Sequence, residues 1–396
     1  MLANLLVVAA AMASFQAVAA DAVGSWTADL ASAKQSLNAG KYDEAVLKLR
    51  AALESLDEDG GNESATLEVL VQLASAARLE SQFDVAEAAL ARALRLHAKL
   101  QSADSPTLRS ELAAVQRAQG KAKEALGTLE AAIQARGGSN TPTEELAKDL
   151  TTAGILKMDL GDRPGAKDTL ERALATWRIV IAPGSLQIIP ALDALGVLFR
   201  DTASYEEAEP LFVEALRLRE SAFGPTASEL IGTIDSLAYV LFGQKKYAQA
   251  EPVYKRLLAT WELNAGPEHP MIALTLDKMG EFYAAQQRYA EAEPLVQRAL
   301  ALRTRALMDS FNQTGRVELM QAKLDEARIL YERAVRIGDD CGVPADVLDP
   351  LLRIESKILR EMKRSDEANA IDRRVKAALI EKADREGRRP SPVRMK

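Results

Sequence analysis

The chain has 396 residues, with 50 Lys+Arg against 57 Asp+Glu, two His, one Cys, 70 Ala and only 5% aromatics. That composition suits helices packed closely through small side chains and argues against a β-rich fold. One Cys excludes an intramolecular disulfide framework and a Cys-rich metal site, and two His, His97 and His269, exclude a His-rich metal cluster.

Residues 2–13 read Leu-Ala-Asn-Leu-Leu-Val-Val-Ala-Ala-Ala-Met-Ala. The run is shorter than the roughly 20 residues needed to span a bilayer. Ala17-Val18-Ala19 supplies a small-x-small cleavage pattern, and polar sequence begins at Asp21. Residues 1–20 therefore read as a cleaved secretory signal, although no Lys or Arg precedes the apolar run. The competing reading is a buried N-terminal helix. Export to a bacterial periplasm is the expected location, and a cytoplasmic protein with an uncleaved N-terminus is the alternative. No other stretch reads as a transmembrane segment. Arg373–Lys396 carries nine basic and three acidic residues, a net +6, which leaves the rest of the chain at −13. Nucleic acid is not an expected partner of so acidic a body. Residues 383–396 read as a basic, solvated tail.

Between these ends runs a repeat. It is marked by an alanine three residues after an aromatic or its substitute: Tyr42…Ala45, Phe83…Ala86, Ala122…Ala125, Arg163…Ala166, Tyr205…Ala208, Tyr247…Ala250, Tyr289…Ala292, Leu324…Ala327 and Ser365…Ala368. The marker alanines are 41, 39, 41, 42, 42, 42, 35 and 41 residues apart. Each unit reads as two helices. Leu276, Met279, Gly280 and Tyr283 form an i, i+3, i+4, i+7 stripe on the first; Tyr289, Ala292, Val296, Ala299, Leu300 and Leu302 lie on the second. Gly280 and Ala292, twelve apart, fall where the hairpin crosses. The pair recurs as Gly196/Ala208, Gly154/Ala166, Ala238/Ala250, Ala113/Ala125 and Ala74/Ala86. Gly137–Pro142 and Asp57–Asn62 are the loosest connections.

The pattern Leu276-x2-Met279-Gly280-x2-Tyr283 followed by Ala292-x3-Val296-x2-Ala299 resembles the tetratricopeptide repeat (TPR), with the leading Trp replaced by Leu. The connectors Phe223-Gly224-Pro225 and Ala265-Gly266-Pro267-Glu268-His269-Pro270, with the helix start Ala208-Glu209-Pro210-Leu211 and its copies at 250 and 292, look like the kinesin-light-chain subtype. The resemblance implies an all-α fold, a right-handed superhelical α-solenoid of about nine TPR hairpins over residues 26–382. The repeats are expected near 26–56, 65–100, 106–136, 143–182, 186–222, 228–264, 270–306, 309–338 and 346–382. It also implies first helices on the concave wall and second helices outside. The last unit, with Asp372 at an apolar position, reads as a capping repeat.

No Gly-rich phosphate loop or Gly-x-Gly-x-x-Gly occurs, and neither His has a metal-ligand spacing, so no enzyme activity, metal or cofactor is implied. His269 reads as part of a structural connector. Trp177 and Trp261, each eleven after its marker alanine, suit packing against the next repeat. One constellation stands out. Asp193, Asp235 and Asp277 are spaced by 42, each fifteen before its marker, with Asn312 in the matching place of the next unit; Tyr239 and Glu281 fall one turn later. The resemblance puts this position in the groove, where an acidic row would accept an extended segment bearing Lys or Arg. The bland reading is charge stabilisation of helix N-termini. The leading functional expectation is an exported, non-enzymatic scaffold or adaptor for a protein or peptide partner. A structural or assembly protein acting by self-association and a regulatory subunit of a separate enzyme are the alternatives. The oligomeric state stays open.

Overall fold

A computed structural model describes residues 26–58, 62–101, 105–137 and 141–385 of the chain. The expected secretory signal, residues 59–61 and 138–140 of the two loosest connections, and residues 386–396 of the basic tail lie outside the described residues. Among those described, seventeen α-helices and two 3-10 turns follow one another, with no strand. Among the described residues no helix is long and apolar enough to cross a membrane.

The chain divides into two compact units at residues 201/202. The first holds α1 (Trp26–Asn38), α2 (Tyr42–Glu58), α3 (Glu63–Leu79), α4 (Phe83–Gln101), α5 (Pro106–Ala118), α6 (Ala122–Gly137), α7 (Glu144–Asp159), α8 (Arg163–Val180) and α9 (Ile189–Asp201). The second holds α10 (Tyr205–Phe223), α11 (Ile231–Gly243), α12 (Tyr247–Ala265), α13 (Pro270–Ala284), α14 (Tyr289–Met320), α15 (Leu324–Asp340), α16 (Ala345–Glu361) and α17 (Ser365–Arg385). Within each unit consecutive helices pack as antiparallel hairpins, each laid against the next.

Local chemistry sets the helix starts. Asn62 Oδ1 accepts from the N–H groups of Ser64 and Ala65 at 3.1 and 3.2 Å, and Ser105, Thr143 and Asp162 cap α5, α7 and α8 in the same manner. The turn inside every hairpin uses one left-handed residue, always five before the marker alanine. It is Gly at 40, 120 and 161, but Ser81, Ala203, Lys245, Gln287, Ala322 and Lys363 elsewhere, with φ of 57–62°. The connectors after α10 and α12 need their glycines: Gly224 and Gly266 have φ of 88° and 83°.

The crossings explain the alanine period. The marker alanines are 0–6% exposed. A Cβ on Gly280 would lie 2.6 Å from Val296 Cγ2, and one on Gly154 would lie 2.5 Å from Leu170 Cγ. The residue four after the marker is thus a knob seated on the small residue twelve before it. Gly315 meets Tyr331 in the same way, at 2.7 Å. In the last hairpin the knob is Asp372. Its carboxylate accepts from Ser356 Oγ at 2.7 Å and pairs with Arg360, so a polar lock replaces apolar packing there.

Ion pairs join successive hairpins. The Glu one after a marker meets the Lys or Arg four before the next: Glu87–Lys121 at 2.6 Å, Glu209–Lys246 at 2.6 Å and Glu251–Arg288 at 2.8 Å. Hydrogen bonds from Arg288, then from Lys255, hold the Glu251 carboxyl down at about 2. A more buried pair ties three helices of the first unit. Asp149 on α7 accepts from Ser110 Oγ of α5 at 2.8 Å and from Arg136 Nε of α6 at 2.9 Å. Burial nevertheless pushes its carboxyl pKa up.

One element departs from the sequence reading. The second helix of the seventh hairpin does not end near residue 306: α14 runs 32 residues, unbroken, into what would be the first helix of the eighth. Residues 302–314 contain no Gly or Pro to stop it. At about 1.5 Å per residue the helix is about 48 Å long. Its N-terminal half packs on α13 and its C-terminal half on α15, and the apolar cores around Ala299 and Met308 are separate.

Candidate functional site

The candidate residues other than Asn312 lie on first helices, and they are divided between the two units. Asp193 belongs to α9 of the first unit, whereas Asp235, Tyr239, Asp277 and Glu281 belong to α11 and α13 of the second. Within the second unit both aspartates are answered by cations of the same chain. Lys278 Nζ on α13 reaches both oxygens of Asp235 on α11, at 2.6 and 2.8 Å, a bond between the first helices of successive hairpins. Asp277 pairs with Arg303 of α14. Helix-end stabilisation does not account for Asp277, which is the eighth residue of α13 and beyond the first turn where that effect acts.

Around these pairs the surface is mixed. Tyr239 is 46% exposed and meets Tyr205 edge-on, ring centroids 6.2 Å apart. Burial, then the contact with Tyr239, raises the Tyr205 phenol pKa. Glu281 is exposed. Beneath them Tyr254 is buried, and burial followed by the negative charges of Asp235 and Glu281 pushes its phenol upward. Phe282 anchors the layer, within 5.1–6.0 Å of Phe242, Tyr247, Tyr254 and Tyr283. Asn312 is in the C-terminal half of α14, not near a helix start. It is half-buried; its carbonyl accepts from Tyr331 Oη at 3.4 Å, and its side-chain oxygen has no hydrogen-bond partner among the described residues. The residues that sequence reading missed are Lys278 and Arg303. Lys278 directly follows Asp277, and nothing in that adjacency reveals that it bonds Asp235 of the preceding hairpin.

The two tryptophans and the connector histidine are structural. Trp177 is 2% exposed and its indole N–H donates to Thr151 Oγ1 at 3.0 Å, which ties it to the first helix of its own hairpin. Trp261 stacks on His269 at 5.1 Å, and His269 Nδ1 accepts from the Met271 N–H to cap α13. Among the described residues no three His, Cys, Asp or Glu gather in a metal-binding cluster.

Two family profiles, both described as tetratricopeptide repeat, match residues 191–226 and, in two overlapping copies, 230–305 and 271–340. Over residues 191–340 the chain carries tetratricopeptide repeats. Before residue 191, outside the matched span, the Gly154–Leu170 crossing has the same geometry as Gly280–Val296. No curated protein matches the sequence. Among solved structures, the C-terminal part of a TPR repeat-containing protein from Cytophaga hutchinsonii is 15% identical, covers 69% of this chain and 95% of its own, and has a TM-score of 0.51; it shows the fold. The TPR-like repeats of a Podosopora anserina putative kinesin light chain are 16% identical over 51% of this chain and 98% of theirs, with a TM-score of 0.45. A TPR protein from Parabacteroides merdae is 18% identical over 74% and 99%, with a TM-score of 0.43.

Proposed function

We propose that this TPR protein is a non-enzymatic adaptor that holds an extended segment of a partner protein against the first helices of its repeats. One observation carries the reading. On α11 an exposed Tyr239 stands one turn from the Asp235–Lys278 pair, and an exposed Glu281 stands one turn from Asp277. A segment carrying Lys or Arg would displace Lys278 or Arg303 from its carboxylate, exchange one ion pair for another, and lay an apolar side chain on Tyr239. Such an exchange favours selectivity over raw affinity and weakens with salt. The Gly-Pro connectors support assignment to the kinesin-light-chain-like subtype.

The test is binding of Lys/Arg-bearing peptides, followed by fluorescence anisotropy at two salt concentrations. The double change Asp235→Asn and Asp277→Asn should weaken binding and flatten its salt dependence. Binding that stays equally tight and equally salt-sensitive rejects the groove. We further propose that the protein is exported to a bacterial periplasm, supported by the apolar run and Ala17-Val18-Ala19. Fractionation with N-terminal sequencing checks it: an intact Met1 in the cytoplasm would overturn export.

A further inference from the structure

The long helix α14 leaves uncovered a surface that the preceding hairpins of its unit bury. The second helices α10 and α12 carry Phe212 and Tyr254 four after their markers, and these are 1% and 2% exposed. The next first helix covers α12: Phe282 of α13 lies 5.3 Å from the Tyr254 ring. Among the described residues no such cover lies on α14, because residues 307–320 continue the same helix. Val296, in the place of Tyr254, is 47% exposed, and Tyr289, Leu300 and Leu307 are 64%, 53% and 46% exposed.

These residues form one seam. Positions 289, 293, 296, 300, 303 and 307 step by four and three in alternation, the spacing of a coiled-coil contact line. The seam is about 27 Å long. Read in order it is Tyr, Glu, Val, Leu, Arg, Leu, and it is self-complementary under reversal about the level of residue 298. Reversal sets Tyr289 against Leu307, Glu293 against Arg303, and Val296 against Leu300. A parallel pairing would set Glu293 against Glu293 and Arg303 against Arg303, so like charges oppose it. Arg303 already pairs with Asp277, but a guanidinium has five N–H donors and can serve two carboxylates. Ala290, Pro294 and Ala301 flank the seam, exposed and small, so a second helix can approach closely.

We infer that the seam Tyr289–Leu307 is a homodimer contact, in which α14 of one copy lies antiparallel on α14 of another about a two-fold axis. The isologous arrangement satisfies every seam position with a residue already present. One helix face falls short of the roughly 1,200 Å² of a standard stable interface, so association is concentration-dependent.

Sedimentation of the whole chain from low micromolar to about 500 µM, a range that captures Kd values of about the same span, reads the outcome directly. The wild type should pass from monomer to dimer. Leu300→Lys, at an exposed position that leaves the fold intact by circular dichroism, should remain monomeric throughout. Glu293→Arg alone and Arg303→Glu alone should each lose the dimer by like-charge contact. An equimolar mixture of those two variants should regain it, because each then meets its opposite. A wild type monomeric at the highest concentration overturns the inference and leaves the seam to a helix of a different protein. So does a dimer that survives Leu300→Lys, or a mixture that stays monomeric.

Discussion

Glu355 offers a prediction whose size can be worked from its surroundings. It sits on α16, only 9% exposed, with Glu332 and Asp339 of α15 nearby. Two cations are also close, but each is engaged: Arg328 Nη1 bonds Glu332 at 2.7 Å, and Arg374 pairs with Asp339. Burial first, and the charge of Glu332 second, push the Glu355 carboxyl up to about 7 from an ordinary 4.5. The folded chain therefore keeps this proton across a pH range where the unfolded chain has released it. Stability falls as pH rises from about 4.5 to about 7, and the full penalty is present above that. The shift corresponds to a ceiling of about 3 kcal/mol. Glu355→Gln removes the ionisation while keeping the shape. It should stabilise the C-terminal hairpins by up to about 3 kcal/mol at pH 8 and by almost nothing near pH 4.5. Urea unfolding followed by circular dichroism at both pH values measures the difference, with hydrogen exchange of peptides from α16 localising it. A variant that gains equally at both pH values, or loses stability at pH 8, refutes the reasoning.

Three further perturbations test the packing. Asp149→Ala strips the carboxylate from Arg136 and Ser110 in the first unit; a buried cation left without that partner should cost about 3 kcal/mol, read as an earlier urea midpoint. Gly154→Val drives a side chain into Leu170, whose Cγ lies 2.5 Å from the Cβ site, and should lower the melting temperature by overpacking worth about 1–3 kcal/mol. Gln287→Gly relieves a left-handed residue at φ 60° and should stabilise by about 1 kcal/mol, whereas Gly161→Ala, at the equivalent turn, should destabilise by a similar amount; paired thermal melts decide it.

The repeat was legible because its defining constraint is steric. Only Ala, Gly or Ser fits where two helices cross, so the small residue twelve before each marker recurs even where other features fade: Ala33, Gly315 and Ser356 obey it alongside the six pairs visible from spacing. The hairpin turns were less legible, because six of the nine use a non-glycine residue in the left-handed region and so carry no compositional signal. The course of α14 was hinted at only by the 35-residue interval before Ala327. A short interval is equally compatible with a tight turn, and the absence of a breaker decides between them. The aspartate row was visible as a period, but its partners were not. Lys278 bonds a residue 43 positions away and Arg303 one 26 away, and such pairs depend on how hairpins lean on each other.

The unbroken α14 has a mechanical consequence. Hairpins joined by a loop can rock independently, but those fixed to opposite ends of a rod cannot. A bend of about 10° at its midpoint would swing either tip by about 4 Å, and bending requires stretching backbone hydrogen bonds. Load applied to the last two hairpins is therefore delivered to α13 as leverage along a stiff spoke, without relying on side chains to pass it on.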